Sequence, residues 1–436
     1  MSYKRNIASN FLTQIIVSAI GFFISIIVAR ALGPQDKGYA AYIILIFNNL
    51  IGEYGHFGIT SASTYFQKKT KYSAKEVYDT NITYLFIVFS IISSTIIILK
   101  ATGFFLADYS WSLIIAGLSI VLCTFLNTAL VNFYVADERI PETNKCNLIM
   151  NLLKSILILI LWIFGNLNVV TFVLCQFMPV VVSILILYKN LGITYNIGFN
   201  KQLLKSEFKF GIVIYLGTLF ITLNYKMDQI FIKNILGEQQ LGIYTIAVSL
   251  AELLFLIPGS VGTAILGRLY NIKDNNKEKK YILSMTVKYT FYICLFIGIL
   301  GMMMTPLIPY VYGNEFSSAK ASTIILFVGI IFASIGRVSS SYFQSEGAPI
   351  IHMVITLITF LANLLLNALF IPKWGIDGAA AASTISYILY GLVYVVFFKH
   401  KEDFKISDFF MFNKNDYNIL IKNNPFLNRL RKRNKK

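Results

Sequence analysis

The sequence predicts an all-α polytopic membrane protein with twelve transmembrane helices in two six-helix lobes. Hydrophobic residues make up 56% of its 436 residues, charged residues make up only 14%, and the mean hydropathy is +0.66. Apolar runs near the ~20 residues that a bilayer crossing requires recur along the whole chain. A glycine pattern in the first half also returns in the second half. Composition therefore predicts the class, and the repeat predicts the two lobes.

Twelve apolar runs are predicted to cross the membrane. In the first half they are Ile7–Ala29, Tyr39–Phe66, Asn81–Leu99, Trp111–Val135, Leu148–Phe164 and Val169–Tyr188. In the second half they are Phe210–Leu236, Leu241–Leu266, Tyr281–Met304, Ser322–Phe343, Ile350–Ile371 and Gly378–Phe398. The first run has no small-residue cleavage site, so we predict a retained span rather than a signal peptide. The predicted divisions are an N-terminal lobe (1–195), an amphipathic cytoplasmic linker (196–209), a C-terminal lobe (210–398) and a basic cytoplasmic tail (399–436).

The repeat is marked by glycines at one constant shift of 204 residues. Gly33, Gly38, Gly55 and Gly58 match Gly237, Gly242, Gly259 and Gly262, and the residue before the first glycine is Leu in both copies. The shift carries the second span onto the eighth, six spans further on. An even number of crossings keeps both copies pointing the same way. The repeat is therefore predicted to be parallel, with an axis near the membrane normal.

The distribution of Lys and Arg predicts the orientation. With the N-terminus inside, the inner segments carry 28 of the 38 Lys and Arg residues and the outer loops carry 6. This bias follows the positive-inside rule and predicts that both termini are cytoplasmic. The net charge of +17 is thus mainly a topology signal and gives little support to nucleic-acid binding. The basic tail is predicted either to contact anionic membrane lipids or to be a solvated tail.

Polar side chains at helical spacing predict a hydrated interior, because polar groups in hydrocarbon should face a bundle interior or a wet cavity. The stripes are Gln14, Ser18, Gly21 and Ser25 (first span); Asn49, Glu53, His56, Thr60 and Ser63 (second); Asn147, Asn151 and Lys154 (fifth); Thr245, Ser249 and Glu252 (eighth); Ser334, Arg337, Ser341 and Gln344 (tenth); and His352, Thr356, Thr359, Asn363 and Asn367 (eleventh). A single Ser/Thr/Asn stripe is also typical of interhelical hydrogen bonding. Stripes on six helices favour a shared lumen.

Ionisable groups are the costliest members of these stripes, at ~2.5–3.5 kcal/mol for a charge at the bilayer centre. Lys154, Glu53 and Glu252 are therefore predicted to face the lumen. Arg337 lies nearer the inner face, where snorkelling is the alternative. On the seventh span, Lys226 shares a polar face, whereas Asp228 lies on roughly the opposite side. For Asp228 we predict a structural role, as an ion-pair or hydrogen-bond partner.

Three stretches of sequence resemble the polysaccharide-export branch of the multidrug/oligosaccharidyl-lipid/polysaccharide flippase superfamily. They are ARALGPQDKGYAAY after the first span, YKMDQIFIKNILGEQQLGIYTIAVSLAE across the seventh and eighth spans, and NLLLNALFIPKWGIDGAAAAST from residue 363. The resemblance implies a V-shaped bundle that moves polyprenyl-pyrophosphate-linked oligosaccharide repeat units across the bacterial inner membrane, for O-antigen, capsule or exopolysaccharide assembly. It implies a cationic lumen for the head group, which maps onto Lys154, Lys226 and Arg337.

The predicted transport chemistry follows from the ligand. Amides and hydroxyls would replace water around the sugars, and the predicted amides are Asn49, Asn147, Asn151, Asn363 and Asn367. Glu53, His56 and Glu252 are the candidates for coupling transport to H+ or Na+, and the sequence leaves open whether coupling occurs. Neither a catalytic residue, a metal site nor a cofactor is predicted. The polymerase and glycosyltransferases of the same pathway are candidate partners.

Four other functions stay open at this stage. A lipid II flippase shares the architecture, but the relatives in question carry two further spans. A cation-coupled multidrug antiporter should have a lumen dominated by carboxylates. A membrane enzyme, such as the polymerase of the pathway, should have a large external loop, and a scaffold would leave the polar stripes unexplained.

Overall fold

The computed structural model describes residues 3–69, 72–272, 276–402 and 405–411. All regular structure in this part of the chain is helical, and ten of its helical segments are long and apolar enough to cross a membrane. This confirms an all-α polytopic membrane protein.

The N-terminal half contains six α-helices and a π-helix. They are α1 (Tyr3–Ile44), the π-helix (Leu45–Gly52), α2 (Ile59–Lys69), α3 (Ala74–Ala101), α4 (Trp111–Ala136), α5 (Ile140–Ile163) and α6 (Val169–Leu191). The C-terminal half contains α7 (Lys201–Leu236), α8 (Glu238–Glu252), α9 (Leu256–Asn271), α10 (Asn276–Met304), α11 (Ile308–Tyr312), α12 (Ala319–Ser345), α13 (Pro349–Lys401) and α14 (Ser407–Phe410).

The 53-residue helix α13 doubles back at Gly375, whose φ of 59° and ψ of −138° are not helical. Side chains on its two arms meet in antiparallel order. His352 Nδ1 lies 2.6 Å from the Tyr394 hydroxyl, and Ser386 Oγ donates to the Thr359 carbonyl at 3.0 Å. A straight helix of this length would be about 80 Å long, far more than a bilayer requires. The two arms are therefore packed side by side.

Helix α1 doubles back in the same way at Gly33, where φ is 68° and ψ is 179°. Gly21 and Ser25 of the first arm line the same cavity as Lys37 and Ile44 of the second arm. In a straight helix, residues 21 and 44 would be about 34 Å apart. The first two predicted spans are thus neighbours, joined by a turn rather than a loop.

The duplication seen in the sequence is visible in the backbone. Gly237 has φ 86° and ψ 177°, close to the values at the matching Gly33. A Cβ added at Gly38 would lie 1.8 Å from the carbonyl oxygen of Glu238, and one added at Gly242 would lie 1.9 Å from that of Pro34. Positions 34 and 238 are related by the same 204-residue shift. The two halves therefore contact each other reciprocally, as across a two-fold axis.

A second seam joins the halves through α2 and α7. A Cβ added at Gly211 would lie 2.8 Å from the Gly58 carbonyl oxygen, and the rings of Tyr65 and Phe210 stack with centroids 4.6 Å apart. The second part of the predicted cytoplasmic linker, residues 201–209, forms the first turns of α7. The basic tail beyond residue 411 lies outside the described residues.

Candidate functional site

Lys226 on α7 and Glu252 on α8 form an ion pair inside the protein. Lys226 Nζ donates to Glu252 Oε1 at 2.9 Å, and the two side chains are 19% and 38% exposed. Asp228 and Glu53 are the next carboxylates whose charges act on Lys226, and Glu53 belongs to the other half of the chain. The pair is therefore partly solvated and lies where the halves face each other.

Glu252 lines a cavity of about 360 Å³ between α1 and α8, which we call the interface cavity. Its lining is Ser18, Gly21, Phe22, Ser25, Ser249, Glu252, Leu253, Leu256 and Tyr312. The predicted stripes of the first and eighth spans thus face each other across one space. Hydroxyl groups from both halves give this cavity a polar wall.

A second cavity, of about 480 Å³, lies on the N-terminal side and is called the amide cavity here. Its lining is Asn48, Glu53, Tyr54, His56, Thr124, Asn127, Thr128, Asn132, Met150, Val180, Tyr215 and Thr218. Glu53 is exposed, whereas His56 is buried and accepts a hydrogen bond from the backbone N–H of Gly58 at 3.1 Å. The predicted Asn49 accepts a hydrogen bond from Asn48 at 2.9 Å but does not itself line the cavity.

Arg337 is an exposed cation on α12. The tyrosines with the largest electrostatic interaction with Arg337 are Tyr225, Tyr390 and Tyr54. Tyr54 belongs to the N-terminal half. Among the described residues, no carboxylate forms an ion pair with Arg337. Its guanidinium therefore keeps donors available for a ligand. The surrounding tyrosines were not predicted from the sequence, because aromatic residues are too common in membrane spans to mark a site.

Lys154 lines a cavity separate from the interface cavity, which Glu252 lines. This third cavity, of about 160 Å³, is bounded by both arms of α1 with α5 and α6. Lys37 lines it too, together with Asn151, Ser155 and Gln176, and we call it the two-lysine cavity. Asn147 lies one turn away and accepts a hydrogen bond from Asn151 at 2.8 Å. Lys37 was not predicted as a site residue, because it lies two positions before the second predicted span and was therefore assigned to an outer loop.

Asp228 is buried and accepts three hydrogen bonds. The donors are the Tyr244 hydroxyl at 2.6 Å, the Ser383 hydroxyl at 3.1 Å and the Gln229 backbone N–H at 2.7 Å. These contacts fit the structural role that we predicted for Asp228, since a buried carboxylate requires donors.

Asn363 and Asn367 extend this buried network rather than lining a cavity. Asn363 Nδ2 donates to Ser383 Oγ at 3.4 Å, and Asn367 Nδ2 donates to Asn363 Oδ1 at 2.8 Å. Both asparagines are fully buried. In this conformation they join the two arms of α13 to α7, so they do not share a space with Lys226 or Arg337.

One end of the interface is closed by charged and aromatic groups from both halves. Lys233 Nζ lies 5.2 Å above the centre of the Tyr42 ring and 3.8 Å from Glu238 Oε1. The Tyr109 hydroxyl donates to the same carboxylate at 3.3 Å. Burial and the nearby Glu238 carboxylate raise the pKa of Tyr109, so its hydroxyl stays a neutral donor. This cluster lies beside the reciprocal glycine contact.

Comparison with known proteins identifies the family. The profile of a family described as "Polysaccharide biosynthesis protein" matches residues 27–321, about two thirds of the chain. The chain is 23% identical over 406 residues to the capsular polysaccharide biosynthesis protein CapF of Staphylococcus aureus, covering 91% of this chain and 99% of that relative. It is 28% identical over 168 residues to a putative O-antigen transporter of Shigella flexneri, covering 38% of this chain and 40% of that relative.

Solved structures share the fold at low sequence identity. The lipid II flippase MurJ in an inward closed conformation matches with a TM-score of 0.72 and 17% identity, over 91% of this chain and 88% of that one. An inward-facing multidrug resistance transporter of the MATE family matches with a TM-score of 0.70 and 14% identity, over 87% of this chain and 93% of that one. The chain belongs to the polysaccharide biosynthesis protein family, which confirms its predicted resemblance to the polysaccharide flippases of the multidrug/oligosaccharidyl-lipid/polysaccharide superfamily.

Proposed function

We propose that this protein moves a polyprenyl-pyrophosphate-linked oligosaccharide repeat unit across the bacterial inner membrane by alternating access. The product would serve the assembly of capsule, O-antigen or exopolysaccharide. One observation carries the proposal: Lys226 and Arg337 are partly or fully exposed cations at the interface between the halves of a chain from a polysaccharide biosynthesis family. Cations at membrane depth are costly, so their presence at this interface favours an anionic ligand.

The head group accounts for the chemistry of the cavities. A diphosphate cannot cross ~30 Å of hydrocarbon unaided, and Lys226 and Arg337 would neutralise it. Sugars need hydrogen-bonding partners, which the amide cavity supplies through asparagine and threonine side chains. We propose Asn49, Asn147, Asn151 and Lys154 as further substrate contacts. Asn363 and Asn367 would join them only in a conformation that opens the buried network.

The lipid tail has a path of its own. An apolar groove of about 480 Å³ shares Phe22, Leu253 and Tyr312 with the interface cavity. Its other lining residues include Leu250, Ile297 and apolar residues of α10 and α11. An amphiphile with its head in the interface cavity could therefore keep its tail in an apolar environment.

We further propose twelve crossings with both termini in the cytoplasm. Two of the ten candidate segments double back, at Gly33 and at Gly375, and each of these two could cross the membrane twice. This supports twelve crossings. In this topology the reciprocal glycine contact lies at the outer end. Rocking of the halves about their seams would then open the outer end while closing the inner end.

Ion coupling is proposed through Glu252, with Glu53 and His56 as the other candidates. In this conformation Glu252 Oε1 lies 2.9 Å from Lys226 Nζ and so competes with any other anion for the lysine. A proton or Na+ bound to Glu252 would weaken the ion pair and leave Lys226 available to phosphate. Substrate and coupling ion would thus be linked through one lysine.

Deletion of the gene in its host tests the proposed function. We expect loss of a surface glycan and accumulation of lipid-linked repeat units on the cytoplasmic side. Complementation with Lys226→Met or Arg337→Met at normal expression should not restore export. Lys201→Met is the matched control, because this lysine is exposed at the start of the same helix as Lys226. Normal surface glycan without accumulated intermediates would refute the proposal.

A further inference from the structure

Two lysines and no carboxylate line the two-lysine cavity. Its lining is Ile20, Gly21, Ile24, Ser25, Val28, Lys37, Ile44, Asn151, Lys154, Ser155, Ile158, Phe172 and Gln176. Within the described part of the chain, neither Lys37 nor Lys154 forms an ion pair or a hydrogen bond. An ammonium group that is withdrawn from water without a partner is costly. An anion in the cavity would lower this cost for both lysines.

The remaining polar groups indicate that the ligand is an acceptor. The Ser25 and Ser155 hydroxyls already donate to the backbone carbonyls of Phe22 and Asn151, at 2.7 and 2.8 Å. Asn151 Nδ2 donates to Asn147. The uncommitted donors are therefore mainly those of the lysines, each with three N–H groups and no acceptor. A volume of about 160 Å³ equals roughly five waters, which is enough for a phosphate group.

A route connects this cavity with the interface cavity. Gly21 and Ser25 line both spaces. A Cβ added at Gly21 would meet no atom within 4 Å, so the missing side chain leaves an opening along this turn of α1. Glu252, the partner of Lys226, lies on the other side of that opening. An anion held at Lys226 therefore has a short path to Lys37 and Lys154.

We propose that the two-lysine cavity is a second binding site for a phosphate-class anion, with Lys37 and Lys154 as its ligands. The site is distinct from Lys226 and Arg337. If the function proposed above holds, its occupant is the diphosphate of the lipid-linked substrate at a later stage of transport. The alternative occupant is free inorganic phosphate, which would present the same kind of phosphate oxygens to Lys37 and Lys154.

Binding of inorganic pyrophosphate to the purified full-length variant Lys226→Met/Arg337→Met tests the site, because this background lacks the cations of the first proposed site. We expect this variant to bind pyrophosphate, and addition of the double variant Lys37→Met/Lys154→Met to lower the affinity about tenfold or more, because charge-assisted hydrogen bonds are lost. Addition of Lys201→Met to the same background should leave the affinity unchanged. Unchanged affinity after addition of Lys37→Met/Lys154→Met would overturn the proposal. Should that variant fail to fold, Lys37→Gln and Lys154→Gln tested singly should each weaken binding, and unchanged affinity in both would equally overturn it.

A transport assay with a polyprenyl-pyrophosphate-linked oligosaccharide distinguishes the two sources. If the diphosphate of the substrate is the ligand, the double variant and Gly21→Leu both lower the transport rate. If free phosphate is the ligand, pyrophosphate binding is lost in the double variant while transport stays at the wild-type rate, which overturns the substrate assignment but supports the site. Failure of wild-type protein to transport any lipid-linked glycan would refute the proposed function and leave the binding result to decide the site.

Discussion

The ion pair between Lys226 and Glu252 is weak enough for an anionic ligand to displace the carboxylate. The Glu252 and Lys226 side chains are 38% and 19% exposed, so water reaches the carboxylate and weakens the ion pair. A diphosphate carries more negative charge than one carboxylate and so competes well for the lysine. The pair is therefore better explained by ligand exchange than by folding.

Replacement of Glu252 by Gln should make Lys226 easier for the substrate to reach. We expect the half-saturating substrate concentration for transport to fall severalfold, because the competing carboxylate is gone. The measurement is initial transport rate against substrate concentration in reconstituted vesicles. An unchanged or raised half-saturating concentration would contradict competition between Glu252 and the substrate.

Asp228 has the opposite character, since it is buried and accepts hydrogen bonds from three donors. Asp228→Ala should lower the free energy of unfolding by about 2–5 kcal/mol, because the Tyr244 and Ser383 donors would be left unsatisfied. Glu252→Gln should cost less, because Glu252 is partly exposed and the amide oxygen can still accept a hydrogen bond from Lys226. Thermal unfolding of both purified variants checks the contrast. Equal destabilisation would argue against a structural role for Asp228.

The sequence predicted where the helices lie along the chain better than it predicted which helices pack against each other. Helical spacing placed Asn363 and Asn367 on one polar face of the eleventh span, but spacing does not say which helix covers that face. The structure covers it with α7 and the second arm of α13. Lys37 was missed for a related reason. The second span was predicted to begin at Tyr39, whereas the second arm of α1 begins directly after the turn at Gly33 and so includes Lys37.

The glycine repeat was the most informative pattern in the sequence, because it marked both the positive-φ turns and the positions where the two halves touch. Gly38 and Gly242 bring two backbones together where any Cβ would lie under 2 Å from a carbonyl oxygen. Positive φ at Gly33 and Gly237 explains a second of the four glycine pairs. Neither partner could be identified from sequence, because the shift relates the two copies without saying that they touch.

Substitution of Gly38 or Gly242 by Ala should separate the halves at this end. We expect both variants to lose similar stability, about 1–3 kcal/mol, because the contact is reciprocal and overpacked backbones must shift. Gly259→Ala is the matched control, since a Cβ there meets nothing within 4 Å and alanine favours the helix. Thermal unfolding gives the comparison. A stability loss in only one of the two variants would contradict the two-fold arrangement.

For the whole molecule, composition and the Lys/Arg bias predict an orientation that labelling can test. In a background without the four native cysteines, Cys at Gln35 and at Lys373 should react with a membrane-impermeant thiol reagent in intact cells. Both positions are exposed, at the turns of α1 and α13. Cys at Lys201 should react only after the cells are broken. Labelling of Lys201→Cys in intact cells would refute the proposed topology.

Transport of a lipid-linked glycan through the interface between the halves can be measured with purified protein in vesicles. The vesicles contain a labelled polyprenyl-pyrophosphate-linked oligosaccharide, with a membrane-impermeant glycosidase outside. Without transport, only the outer-leaflet glycan is cleaved, about half of the total. Wild-type protein and Lys201→Met should raise the cleaved fraction toward completion, while Lys226→Met/Arg337→Met should leave it at the protein-free level. A cleaved fraction for wild-type protein equal to that of protein-free vesicles would refute transport by this protein.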